Sequence, residues 1–169
     1  ITFKTNVHVG VNFSVQDLNA FDSVVLCGGA TERRGLPTKG ADAKGVVQAM
    51  TFLTQQTKVV LGESIQDQIL ATGKDVIVIG GGDTGSDCVG TSNRQGAKSV
   101  TNFEIMPKPP LGRSESTPWP YWPLQLKTSS SHEEGCNRNW LINTKEFITN
   151  DKGELTALKT VEVLSLIHI

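Results

Sequence analysis

An apolar run that ends in a cluster of glycines constrains the fold of this chain more than any other feature. Residues 76–79 have the sequence Val-Ile-Val-Ile, which is typical of a strand buried on both faces of a parallel sheet. Glycines follow at once, and residues 83–94 have the character of a helix. The next β-rich run covers residues 99–105. This order predicts a β-α-β unit, and therefore an α/β fold with a parallel sheet.

The glycines have the spacing G-x-G-x-x-G, placed where the predicted strand ends and the helix begins. In that setting, one glycine allows a sharp turn, one leaves the backbone open to a diphosphate, and one lets the helix approach the sheet. The unpaired N–H groups of the first helical turn favour an anion. We therefore predict a site for the diphosphate of a nicotinamide dinucleotide, formed by Gly80, Gly81, Gly82, Asp83, Thr84 and Gly85. The alternatives are a plain glycine-rich turn and, for Asp83, a role as helix cap only.

Glu104 is the candidate for recognising a ribose of that dinucleotide. It lies near the end of the second predicted strand, about 20 residues past the glycines, where an acidic residue accepts hydrogen bonds from a ribose hydroxyl pair. A carboxylate there repels a 2′-phosphate, and the apolar Ile105 and Met106 offer a phosphate nothing. The pattern predicts NADH rather than NADPH. Lys108 and Arg113 are the nearby cations that would reverse this preference.

Composition argues against several classes of partner. The 17 acidic and 16 basic residues nearly cancel, whereas a nucleic-acid partner favours a basic face. No apolar run approaches the roughly 20 residues that cross a bilayer, and the three cysteines show no CxxC spacing. We expect a cytoplasmic protein with no membrane or nucleic-acid partner. We predict no metal site at His132 and no catalytic side chain, because the cofactors carry hydride transfer.

The other predicted elements depend on weaker patterns. Before the β-α-β unit we expect a half-buried strand in residues 1–11, a helical turn in residues 14–19 and a buried strand in residues 21–26 that ends at Cys27. A helix follows in residues 45–56, with Val46, Met50 and Leu53 on one face. After the unit we expect a proline-rich loop in residues 107–123, a helix capped by serine near residue 129 and a hairpin in residues 141–163.

Several segments of this sequence resemble the small (beta) subunit of glutamate synthase. Residues 78–92 are similar to the nicotinamide-binding segment of that family. The resemblance covers residues 1–163 and includes four further segments, 104–110, 117–120, 131–136 and 144–147. Residues 27–31 resemble the end of the first half of the family's FAD domain.

The resemblance implies a Rossmann-like flavoprotein with two dinucleotide-binding domains. Residues 1–72 would be the end of the first half of the FAD domain plus the crossover, and residues 73–163 an incomplete NAD(P)H-binding domain. In the family, the small subunit passes hydride from NAD(P)H to FAD, and electrons continue through iron–sulfur clusters to the large (alpha) subunit or domain, which makes glutamate from glutamine and 2-oxoglutarate. Family forms that use NADPH often carry arginines where this chain has Ile105 and Met106, which favours NADH.

The chain departs from the family in what it lacks. It has no glycine fingerprint for FAD, no cysteine-rich cluster region and no final flavin segment, and it begins without Met. We therefore expect a fragment that is inactive alone. Residues 164–169 match one reading frame of a common sequencing adapter and are expected to be non-native, with a short apolar strand as the alternative.

Two other functions remain open at this stage. One is a sister flavin and iron–sulfur electron-entry module of another dehydrogenase, such as a pyrimidine-reducing enzyme. The other is a non-catalytic nucleotide-binding module. The loop of prolines and tryptophans in residues 107–123 favours glutamate synthase over the sister module. The sequence upstream of Ile1 would decide on the non-catalytic module, which needs no flavin domain.

Overall fold

A computed structural model describes residues 1–29 and 32–164, and the contacts of the chain divide it into two compact units, Ile1–Arg34 and the part from Gly35 onward. The first unit contains a 3₁₀ helix, Val15–Ala20. The side-chain oxygen of Ser14 accepts a hydrogen bond from the N–H of Gln16 at 3.2 Å and caps this helix. The helical turn predicted in residues 14–19 is therefore confirmed.

The two strands predicted in the first unit are wrong. Among residues 1–29, ladder pairing is limited to a single bridge between Val9 and Phe13. Val25 and Leu26 are 81% and 88% exposed, and Cys27 is exposed as well. A strand needs a neighbouring strand to satisfy its backbone N–H and C=O groups, and no segment of the described chain pairs with residues 21–26. A β-rich composition thus forms a strand only where a partner is present.

The second unit contains three helices and five strands in its described residues. In chain order they are α1 (Ala49–Val60), β1 (Asp75–Ile79), α2 (Asp83–Arg94), β2 (Ser99–Phe103), α3 (Ser130–Glu133), β3 (Asn137–Asn139), β4 (Ile142–Thr149) and β5 (Leu155–Glu162). β1, β2 and β3 form one parallel sheet in that order, and α2 connects β1 to β2. The predicted α/β fold and its β-α-β unit are confirmed. β2 ends two residues before the predicted end.

The core lies where α2 faces the sheet. Its buried residues are Val78, Cys88, Val89 and Val100. Val89 is fully buried, and burial raises the pKa of the Cys88 thiol to about 11. Cys88 is therefore a buried apolar group. This core holds the end of β1 and the start of α2 in a fixed relation.

Helix α1 begins four residues later than predicted. Gly45 has a φ of +106°, which is not helical. The N–H of Lys44 donates to the carbonyl oxygen of Gly153 at 3.0 Å. Residues 44 and 45 therefore pack against the hairpin, and the helix begins after them. The face of α1 that contacts the core includes Phe52 and Leu53. Met50 is 62% exposed, so its predicted place on the apolar face is wrong.

Strands β4 and β5 form the predicted antiparallel hairpin. Residues 39–44 lie along it: the N–H of Phe147 donates to the carbonyl oxygen of Lys39 at 2.9 Å, and the N–H of Leu155 to that of Lys44 at 2.8 Å. Because residues 39–44 pair with this hairpin, they belong to the second unit, and the division between the two units falls before them, after Arg34. The boundary at residues 72 and 73 concerns two dinucleotide-binding domains and stays a prediction.

Residues 107–123 contain no helix or strand, as their prolines predicted. The non-native tail predicted at residues 164–169 lies outside the described residues except for Leu164, which is exposed. None of the helices in the described part of the chain combines the length and apolar character that crossing a bilayer requires.

Gly85→Ala should destabilise the second unit. A Cβ on Gly85 would overlap the carbonyl oxygen of Gly80, so α2 would have to move away from β1. We expect the free energy of unfolding to fall by about 1–3 kcal/mol, measured by urea denaturation. Gly82→Ala is the matched control, because a Cβ on Gly82 would meet nothing within 4 Å, and its loss should stay below about 1 kcal/mol. Equal losses in the two variants would contradict this account.

Candidate functional site

The glycine turn is an exposed connection between β1 and α2. Gly80 has a φ of +120°, a conformation that strains any residue with a side chain, and its N–H donates to the carbonyl oxygen of Phe103 at 2.8 Å. Gly82 has an extended backbone and open space on the side where a Cβ would point. The close approach of α2 to β1 depends on Gly85. At these three glycines the structure thus has a sharp turn, open space beside the backbone and a close approach of the helix to the strand.

Asp83 and Thr84 are both exposed at the start of α2. The N-cap position is occupied by Gly82, and no side chain caps the helix. The interpretation of Asp83 as the helix cap is therefore wrong: Asp83 is the first helical residue. Its charge lies in the first turn, where it interacts favourably with the helix dipole. The N–H groups of this turn are left without side-chain caps.

Asn102 holds the turn in place from the neighbouring strand. Its side chain is fully buried, and its Nδ2 donates to the carbonyl oxygens of Val78 at 3.1 Å and Gly80 at 2.9 Å. These bonds satisfy backbone groups at the point where β1 ends. Sequence reasoning missed Asn102, because asparagine is not typical of strands and its role depends on the register between β1 and β2.

Glu104 lies directly against the turn. A Cβ on Gly81 would overlap the carboxyl carbon and Oε2 of Glu104, so the carboxylate occupies the space that a side chain at position 81 would fill. The structure thus brings the predicted ribose acceptor together with the predicted diphosphate turn. These two parts are separate in sequence and adjacent because β1 and β2 are neighbours in the sheet.

Arg138 is the partner of Glu104. Its Nη2 donates to Oε1 of Glu104 at 2.9 Å, and the two side chains are only 13% and 14% exposed. Its Nη1 donates to the carbonyl oxygen of Lys127 at 3.0 Å, and its guanidinium carbon lies 5.1 Å from the centroid of the Trp140 ring. Arg138 is 34 residues beyond Glu104, and no pattern in the sequence indicated it.

The two cations named from the sequence have other contacts. Lys108 Nζ lies 5.0 Å from the centroid of the Trp140 ring, which Arg138 also faces. Arg113 Nη1 donates to the carbonyl oxygens of Thr117 at 3.0 Å and Tyr121 at 3.1 Å, within the proline-rich loop. Lys108 and Arg138 therefore share the ring of Trp140, whereas Arg113 is bound to its own loop.

A second polar network connects α2 to α3. Ser129 caps α3, as predicted, and the N–H of Ser129 donates to Nδ1 of His132 at 3.3 Å. The hydroxyl of Ser129 hydrogen-bonds to that of Ser86 on α2. Nε2 of His132 is buried and has no hydrogen-bond partner among the described residues. Burial lowers the pKa of His132, and the charge of Arg138 lowers it further, while Glu104 opposes both.

No family model matches the chain, but individual proteins do. It is 49% identical to the glutamate synthase [NADPH] small chain of Mycobacterium tuberculosis H37Rv over 97% of its own length. It is 41% identical to the glutamate synthase [NADPH] small chain of Bacillus subtilis and 44% identical to the glutamate synthase [NADH] of Saccharomyces cerevisiae, over 96% of its length in each case. It spans 35% of the two bacterial proteins and 8% of the yeast protein.

Among solved structures, a ferredoxin reductase from Rhodopseudomonas palustris is similar over 75% of this chain and 28% of that chain. The sequence identity is 17% and the TM-score 0.46, too low to support a functional argument. The α/β assignment therefore depends on the observed sheet and its β-α-β connection.

Acidification should destabilise the second unit through His132. Because the pKa of His132 is lower in the folded state than its usual value of 6.5, the unfolded state binds a proton first as the pH falls. The free energy of unfolding should therefore be highest above about pH 6.5 and fall as the pH drops towards the folded pKa. Urea denaturation between about pH 7 and pH 5 measures this slope.

His132→Asn should flatten that slope, since the amide does not titrate and its oxygen still accepts from Ser129. The exposed His8 lies in the first unit, and His8→Asn provides the matched control. An equally steep acid limb in the His132 variant would show that other groups cause it.

Proposed function

Since the chain is homologous over nearly its whole length to a segment of the glutamate synthase small chains, we propose that it forms part of a glutamate synthase and binds a nicotinamide dinucleotide at residues 80–85. In the complete protein, this region delivers hydride from the nicotinamide to FAD. Electrons then pass through iron–sulfur clusters to the large subunit or domain, where glutamine and 2-oxoglutarate give glutamate.

The open glycine turn is the observation that carries this proposal. It lies at the carboxyl end of β1 in a parallel sheet, which is where open α/β sheets bind nucleotides. The exposed backbone at Gly82 leaves room for a diphosphate, and the start of α2 has no side-chain cap to compete for its N–H groups. These features fit a dinucleotide whose diphosphate contacts the backbone.

Glu104 extends the proposed site to the ribose. Its carboxylate lies against Gly81, at the end of the strand next to β1. There it accepts from ribose hydroxyls and repels a 2′-phosphate, which favours NADH. The similar proteins are named for both NADPH and NADH, so their names do not select between the cofactors.

The remaining parts of the proposal concern the complete protein. The iron–sulfur clusters, the contact with the large subunit or domain and most of the FAD site belong to regions that this chain does not span. We therefore propose that the chain alone binds the dinucleotide but does not catalyse the reaction. We also propose that the complete protein works in the cytoplasm.

Gly82→Ala should weaken binding of NADH without weakening the fold. A methyl at Gly82 points into open space in the free protein but would stand where the diphosphate meets the backbone. We expect the dissociation constant to rise about tenfold to a hundredfold, which corresponds to ~1–3 kcal/mol. Isothermal titration calorimetry of the chain with NADH measures this.

The matched control for this experiment is Gly112→Ala. A Cβ on Gly112 would also meet nothing within 4 Å, but Gly112 lies in the proline-rich loop. Its affinity for NADH should equal that of the unmodified chain. An unchanged affinity in the Gly82 variant would overturn the assignment of the diphosphate turn.

Glu104→Gln should shift the cofactor preference towards NADPH. The amide oxygen of glutamine can still accept from Arg138, so the change removes the charge but spares the contact. The affinity for NADH should fall, and the ratio of the affinity for NADPH to the affinity for NADH should rise. Parallel titrations with the two cofactors measure both affinities. Glu115→Gln, at an exposed position, is the control. If the ratio of the two affinities stays the same, Glu104 does not determine the preference.

A further inference from the structure

The Glu104–Arg138 pair is poorly placed to serve stability. Both side chains are largely removed from water, at 14% and 13% exposed. Taking two charges out of water costs free energy that their attraction often fails to recover, and such pairs are frequently replaceable by apolar residues. A buried pair beside an open glycine turn therefore calls for another explanation.

The register of the sheet places this pair relative to the turn. Arg138 of β3 lies opposite Asn102 of β2, and Glu104 follows two residues after Asn102 on the same face. Asn102 fixes the carbonyl of Gly80, and Arg138 fixes the carboxylate over Gly81. Asn102 and Arg138, which are opposite each other in the sheet, thus fix the carbonyl of Gly80 and the carboxylate that lies over Gly81.

The guanidinium of Arg138 is itself immobilised. One nitrogen bonds to Glu104, another bonds to the carbonyl of Lys127, and the group faces the ring of Trp140. Its remaining nitrogen, Nε, is buried without a partner among the described residues. Arg138 would have to break these contacts to reach a ligand, so it is not positioned to bind a phosphate.

Glu104 in turn has one oxygen committed and one available. Oε1 accepts from Arg138, whereas Oε2 lies against the backbone of Gly81 and accepts no hydrogen bond from the described residues. A carboxylate held by one oxygen presents the other in a single orientation. Such preorganisation removes the entropy cost of ordering the side chain when a ligand binds.

We infer that Arg138 is a positioning residue that fixes Glu104 for the ribose hydroxyls of NADH and, through Glu104, sets the preference for NADH over NADPH. This inference rests on the proposed function, because it requires a dinucleotide in the turn. Arg138 does not contact the ligand; it acts through the orientation of one carboxylate.

The test is a double-mutant cycle on the complete chain, with Arg138→Met, Glu104→Ala and the double variant. Alanine at position 104 can accept nothing from Arg138, so the positioning contact is absent in that background. Dissociation constants for NADH and NADPH are measured by calorimetry, and circular dichroism confirms folding. We expect Arg138→Met to weaken NADH about tenfold or more and NADPH much less, so that the preference falls. In the Glu104→Ala background, Arg138→Met should have no further effect on the preference. The double variant also removes both buried charges together, so the cycle can be read even if Arg138→Met alone folds poorly. The preference of the double variant should equal that of Glu104→Ala alone, and any other value overturns the inference.

Each other outcome has a distinct meaning. If Arg138→Met weakens NADPH more than NADH, Arg138 contacts the 2′-phosphate and the inference is overturned. If it weakens both equally in a folded protein, or neither, Arg138 has only a structural role and the inference is also overturned. If the unmodified chain binds neither cofactor, the proposed function fails first and this inference fails with it. Arg94→Met, at the exposed ion pair with Glu134, is the control and should leave both affinities unchanged.

Discussion

The carbonyl group of Gly80 is the point on which the rest of the second unit depends. Its oxygen accepts from the buried amide of Asn102, which ties the end of β1 to β2. The same oxygen is the atom that a side chain at Gly85 would overlap, so it also sets how closely α2 approaches the sheet. Strand, turn and helix therefore meet at one backbone group, and its orientation requires the positive φ of Gly80.

The elements that sequence predicts well here are those whose causes are local. The β-branched run before Gly80, the glycine spacing and the cap at Ser129 each act within a few residues, and each is found where it was expected. The strands expected in residues 1–11 and 21–26 have the right composition but, apart from the single bridge between Val9 and Phe13, no pairing partner in the described chain. The start of α1 moved because a hairpin more than a hundred residues away in the chain binds Lys44.

The candidate site shows the same division. The glycine turn and Glu104 could be named from sequence because both lie within one β-α-β unit of familiar spacing. Asn102 and Arg138 could not, because their roles arise from the register of three strands, and β3 is a short polar segment, Asn-Arg-Asn, with little β propensity. The role of a polar residue in a strand can be assigned only when the groups opposite it in the neighbouring strand are known. In this site, those neighbours are a backbone carbonyl and a carboxylate.

The overlap of space between Gly81 and Glu104 has a consequence for the evolution of this site. A side chain at position 81 would displace the carboxyl group of Glu104 from its observed place, since that group lies where the Cβ would be. The two positions are therefore expected to covary among related proteins. A sequence that replaces Gly81 should carry a shorter residue at 104, and with it a different way of holding the arginine on the neighbouring strand.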